Sequence, residues 1–61
     1  MIRSVGYDPD TSSLEIEFHH GRIYRYLDVP EFLYRGLMLA QSKGSFFNTR
    51  IVDRYPCEQL G

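Results

Sequence analysis

The chain has no tryptophan, one cysteine, three prolines and no apolar run that approaches a membrane span. Each shortage removes a class of protein. With Cys57 alone, no internal disulfide forms and no zinc site can be built on cysteine pairs, which fits a reducing compartment. A membrane-crossing helix needs about 20 predominantly apolar residues, so no membrane association is expected. The stretch Met1-Ile2-Arg3-Ser4-Val5-Gly6 has neither the apolar h-region nor the cleavage site of a secretory signal. The expectation is a soluble, cytoplasmic protein. An excess of positive charge is also missing. Seven basic and eight acidic side chains leave a net charge of −1. Any nucleic-acid binding must then rest on local asymmetry of charge.

What the 61 residues do contain is aromatic: five tyrosines and four phenylalanines. A chain this short buries only about 60% of the surface its unfolded form exposes, and its length implies a stability of roughly 3–9 kcal/mol. Large aromatic side chains can supply the core that small domains otherwise replace with disulfides or metals.

Ile2 to Tyr7 reads as a first strand. Asp8-Pro9-Asp10-Thr11 is a turn, with Pro9 presetting φ and Asp8 suited to the leading position. Leu14-Glu15-Ile16-Glu17-Phe18 alternates strictly, which predicts a strand with Leu14, Ile16 and Phe18 facing the core. A three-residue loop, His19-His20-Gly21, with Gly21 in the left-handed region closing a bulge, pairs Phe18 with Arg22. Tyr24 then sits beside Ile16, Tyr26 beside Leu14, and Arg25 across from Glu15. Favourable cross-strand pairs select this register over a two-residue turn at His20-Gly21.

After Asp28-Val29, Pro30 suits the first position of a helix and Glu31 its first turn. Phe32, Leu33, Gly36, Leu37 and Ala40 form one stripe at helical spacing, with Tyr34 and Met38 on a flanking face. Gly36 lies in that stripe and is expected to let the helix approach the sheet closely. Ser42 can cap a second short helix carrying Phe46, Phe47 and Arg50. Ile51-Val52-Asp53 has equal claim to be extended, and Tyr55-Pro56 ends regular structure.

Read in order, these pieces resemble the KTSC domain family, a small domain named for the C-terminus of some lysyl-tRNA-synthetase-like proteins. The likeness is carried by Ile2-x-Ser4, Gly6-Tyr7-Asp8, Leu14-Glu15-Ile16-x-Phe18 with Gly21, Tyr24-Arg25-Tyr26, Asp28-Val29-Pro30, Ala40-x-Ser42-Lys43-Gly44, Phe47-Asn48 and Tyr55. The tyrosine-x-tyrosine element is the family's hallmark. The resemblance implies a single domain over residues 1–55, leaving 56–61 as a tail. It implies no established activity. The association with a tRNA synthetase suggests RNA binding, which the slight negative charge does not support.

Several groups of residues invite a chemical reading. Tyr24 and Tyr26 with Phe18 can form a stacking platform for single-stranded RNA, with Arg22, Arg25, Lys43, Arg50 and Arg54 following the phosphates. The same tyrosines can equally be core residues beneath the helix. Adjacent His19 and His20 point to different sides and form no natural chelate, so they read as turn. Glu15 and Glu17 share a strand face, as an acid pair can, but read as an outward charged face. Ser42-Lys43-Gly44-Ser45 can bind an anion at a helix start, or simply make a capped turn.

The expected fold is α+β: a three-stranded antiparallel meander with one helix and a second short helix on one face. The sheet is expected to tend toward an open barrel. The other face is expected to carry Val5, Tyr7, Ile23 and Leu27 among Glu15, Glu17 and Arg25, offering a surface for self-association. No nucleophile, base and orienting group can be placed together. The expectation is therefore a non-catalytic binding or interaction module without cofactor or metal, with a protein partner or a second copy. A weak RNA-binding domain is the alternative.

Overall fold

The computed structural model describes every residue from Met1 to Gly61. The strictly alternating segment forms β2 (Ser13–Phe18), the strand on which the others register. β1 (Ile2–Asp8) and β3 (Ile23–Tyr26) flank it antiparallel. The chain then forms α1 (Glu31–Leu39) and α2 (Lys43–Arg50), and returns as a short β4 (Cys57–Gln59) beside β3. The sheet order is β1-β2-β3-β4, so β1 and β4 are both edges and the sheet does not close.

The hairpin between β2 and β3 sets the register. The Gly21 N–H donates to the Phe18 carbonyl at 2.9 Å, and the Phe18 N–H donates to the Arg22 carbonyl at 3.0 Å. Gly21 has φ +94°, which a side chain disfavours. This is the expected three-residue loop. It places Leu14 opposite Tyr26, Ile16 opposite Tyr24 and Glu15 opposite Arg25.

Four expectations need correction. Val5 and Tyr7 were expected on the outer face, yet Val5 pairs with Ile16 and Tyr7 with Leu14. Directly paired residues share a face, so both pack against the core. An irregularity between Ile2 and Ser4 also brings Ile2 opposite Phe18 on that side. Next, Pro30 precedes the helix instead of opening it, because its ψ of 148° is extended. Third, Gly36 serves an approach between helices, since a Cβ there would meet the Phe46 ring at 2.7 Å. Fourth, the expected C-terminal tail is β4. Its three residues are all exposed and show no apolar alternation, and they are held by β3's open edge. Leu60 donates to the Ile23 carbonyl at 2.7 Å and Leu27 to the Pro56 carbonyl at 2.8 Å.

The core consists of Leu14, Ile16 and Tyr26 from the sheet, Leu33 and Leu37 from α1, Phe47 from α2, and Val29 and Ile51 from connections. Burying each aliphatic side chain is worth about 1.5–3 kcal/mol. Val29 is also fastened through its backbone. Its N–H donates to the Ser12 carbonyl at 2.9 Å, and its carbonyl accepts the Tyr7 hydroxyl at 2.7 Å. Tyr7 in turn stacks on Tyr34 at 4.9 Å between ring centroids. These contacts fix where α1 starts over the sheet. Ser42 caps α2 as expected, its hydroxyl accepting the Ser45 N–H at 3.2 Å. Ile51-Val52-Asp53 is a turn, with Ile51 buried beneath it.

Candidate functional site

An α-helix turns about 100° per residue, so Leu33 and Leu37 define one inward direction for α1. Phe32 and Leu39, seven apart, lie nearly on one line along the helix and away from that direction. Phe32 is 71% exposed, Leu39 85% and Met38 42%. Between Phe32 and Leu39 lies Gly36, covered by the Phe46 ring of α2. The expected stripe is therefore split. Leu33 and Leu37 face the core, while Phe32, about 120° around the helix from their mean direction, is left on the surface.

At the Phe32 end, α1, the last residue of α2 and the chain that follows border an open groove of about 370 Å³ lined by Phe32, Leu33, Arg50, Arg54 and Tyr55. Arg50 holds its guanidinium over the Phe46 ring, 5.8 Å from the centroid. Such a cation–π contact is electrostatic and orients the group. Arg54 donates through Nε to the Thr49 carbonyl at 3.1 Å. That carbonyl lies in the last turn of α2, where intrahelical donors run out. Neither arginine has a carboxylate within ion-pair distance, as the chain's ion pairs engage Arg25 and Arg35 alone.

The remaining residues singled out in the sequence are distributed elsewhere. Tyr26 is buried edge-to-face on Phe47 at 5.4 Å, and Tyr24 is half-buried edge-to-face on Phe18 at 5.8 Å. Burial, aided by the neighbouring Cys57 thiol, raises the Tyr26 phenol well above its ordinary value. Arg25 alternates to the opposite face, bridging Glu15 at 3.0 Å and Glu58 at 3.3 Å. The hydrogen bond to Glu15 is the chief cause that raises its pKa further. Glu17 accepts the Ser4 hydroxyl at 3.1 Å, so Glu15 and Glu17 both belong to a bonded charged face. Arg22 is exposed at the hairpin, where its N–H donates to His20 Nδ1. Lys43 opens α2 and is half-buried, and the Met1 methyl fills the space where a Cβ at Gly44 would lie. Arg50 and Arg54 share the groove, with two aromatics that the sequence reading had not grouped with them, Phe32 and Tyr55.

Residues 1–55 match the KTSC domain. The chain belongs to the KTSC domain family. A solved KTSC domain protein from Yersinia pestis superposes with a TM-score of 0.92 at 44% identity, covering 98% of this chain and 84% of that one. An uncharacterized protein from Stutzerimonas stutzeri is 47% identical over 47 residues, 77% of this KTSC chain and 66% of its own length. A lysine–tRNA ligase from Nostoc punctiforme is 38% identical over 60 residues, which is 98% of this chain but 11% of the ligase. The KTSC domain thus spans just under two thirds of one relative and about a tenth of the other. No helix in it is long and apolar enough to cross a membrane.

Proposed function

We propose that this KTSC domain is a non-catalytic binding module that docks a protein partner on the exposed side of α1. One observation carries the reading: Phe32 and Leu39 stand in solvent on one line of α1, and Phe32 borders a groove that supplies two arginines without a carboxylate partner. Apolar side chains grouped in this way, with a polar rim, are what interfaces are built from. The test is selection of random displayed peptides against the domain, with the Phe32→Asp, Leu39→Asp double variant as counter-selection. Peptides that bind only the unaltered domain and shift the amide resonances of Phe32 and Leu39 support docking there. Enrichment indifferent to the substitutions refutes it. Light scattering over a concentration series shows whether a second copy takes the surface instead.

A second reading, RNA binding, is favoured by the aromatic and arginine composition of the same groove, which single-stranded nucleic-acid sites share. The likeness to a segment of lysine–tRNA ligase adds to it. Against it, Tyr26 is buried, and Arg25 is held between two glutamates on the other face. Salt-dependent retention of labelled oligouridine by the domain, lost in an Arg50→Gln, Arg54→Gln variant, is the outcome that would favour it.

A further inference from the structure

We propose that the Arg50–Arg54 end of the groove is a carboxylate site. It takes an acidic side chain of the partner segment whose neighbouring apolar side chain seats on Phe32. The inference rests on the docking reading of α1 and specifies the chemistry that the docked segment carries.

Both guanidiniums are held and neither is neutralised. Arg50 is oriented by the Phe46 ring and makes no hydrogen bond within the chain. Arg54 spends its Nε–H on the Thr49 carbonyl, which leaves its two terminal nitrogens to donate. A guanidinium fork matches a carboxylate with two parallel hydrogen bonds, and a fork already positioned loses little freedom on binding. The groove's other lining residues are Phe32, Leu33 and Tyr55, with no acid among them. Asp53 precedes Arg54 in sequence and forms no ion pair with it. The site therefore combines two cations with an apolar floor, which an acidic residue next to an apolar one complements.

A polyanion fits this arrangement less well. Two phosphate contacts give a single-strand salt slope of only about −1.4. The outer sheet face, moreover, carries Asp8, Glu15, Glu17 and Glu58, and its Arg25 is already engaged by Glu15 and Glu58. A polyanion crossing that face would meet these carboxylates, with Arg25 already paired.

The experiment is a resonance titration of the domain with three probes: a capped peptide of alternating Asp and Leu, its Asn and Leu counterpart, and oligouridine. The expected result is that the acidic peptide shifts Phe32, Leu33, Arg50, Arg54 and Tyr55 and binds at least roughly tenfold more tightly than the amide peptide. That preference should vanish with Arg50→Gln, Arg54→Gln. Because Arg54 also holds the end of α2, Arg50→Gln alone and a double Lys variant accompany it. The Lys pair keeps the charge but loses the fork, and should retain only part of the preference. Equal binding of both peptides at Phe32 overturns the carboxylate site while leaving the docking face standing. No shift on α1 with either peptide overturns both. Tighter binding of oligouridine than of the acidic peptide at the same resonances makes the groove an RNA site and overturns the proposal.

Discussion

Gly21→Val tests the turn on which the whole face assignment depends. Gly21 has φ +94°, and a Cβ built there meets no atom within 4 Å. Any loss of stability therefore comes from the backbone conformation and not from collision. A left-handed conformation costs a side-chain-bearing residue roughly 1–2 kcal/mol, and a β-branched residue tolerates it worst. For a domain of this size, 1 kcal/mol moves the melting temperature by about 4–8 °C, so Gly21→Val should lower it by roughly 4–16 °C. Gly21→Asn should lose less, because Asn visits the left-handed region more readily. Gly6→Ala is the control. Its site is equally open, without the positive φ, so it should be close to neutral. Thermal melts followed by circular dichroism measure the series. A Gly21→Val protein that melts within about 2 °C of the parent, a shift well under 1 kcal/mol, would refute the three-residue loop. The pairing of Tyr24 with Ile16 and of Arg25 with Glu15 would fall with it.

Gly36→Ala gains about 1 kcal/mol of helix propensity but drives a methyl against the Phe46 ring, so it should couple to Phe46→Ala by about 1–3 kcal/mol in urea unfolding; additivity within about 0.5 kcal/mol would refute the contact. Tyr26, with its pKa raised by burial, contributes stability that is fully present below the unfolded value of about 10. Above that value the unfolded chain releases its proton while the fold resists, so stability should fall by up to about 1.4 kcal/mol per pH unit, and Tyr26→Phe should flatten that fall in unfolding measured between about pH 8 and 11. Arg25→Met should speed amide exchange at Leu27 and Leu60, which tie β4 to β3, while the amides of β2 keep their protection; unchanged exchange at both would show that the Arg25–Glu58 bridge does not hold that edge.

The β2–β3 hairpin was legible because three local signals agree. Leu14, Ile16 and Phe18 alternate, Gly21 suits a positive φ, and Glu15 finds an opposite charge in Arg25. The Ser42 cap was legible for the same reason, since capping chemistry acts over three residues. What was misread depended on distant partners. Val5 and Tyr7 have no local feature that tells one face from the other, so their side is set by pairing with Ile16 and Leu14. β4 has almost no apolar content and forms because β3 offers a free edge. The pairing of Glu58 with Arg25 was the one sequence signal that could have located it. In the candidate site, Arg50 and Arg54 were identified as cations, but Phe32 was assigned to the core on spacing alone. Its angle to Leu33 and Leu37 becomes informative only once those two are known to point inward.

That error separates what the fold needs from what it merely carries. The core closes with Leu33 and Leu37 as the only buried residues of α1. Phe32, Met38 and Leu39 therefore contribute little to folding, and surface substitutions of this kind usually change stability by no more than about 0.5 kcal/mol. Phe46 differs, because it packs over Gly36 and also orients Arg50. Replacing it disturbs the helix pair and the groove together. On the proposed docking reading, changes at Phe32 and Leu39 should abolish binding while leaving the melting temperature in place, whereas changes at Phe46 should alter both. A surface made of residues the core does not require can be altered without loss of the fold, and the α1 side of this domain, where the docking is proposed, has that construction.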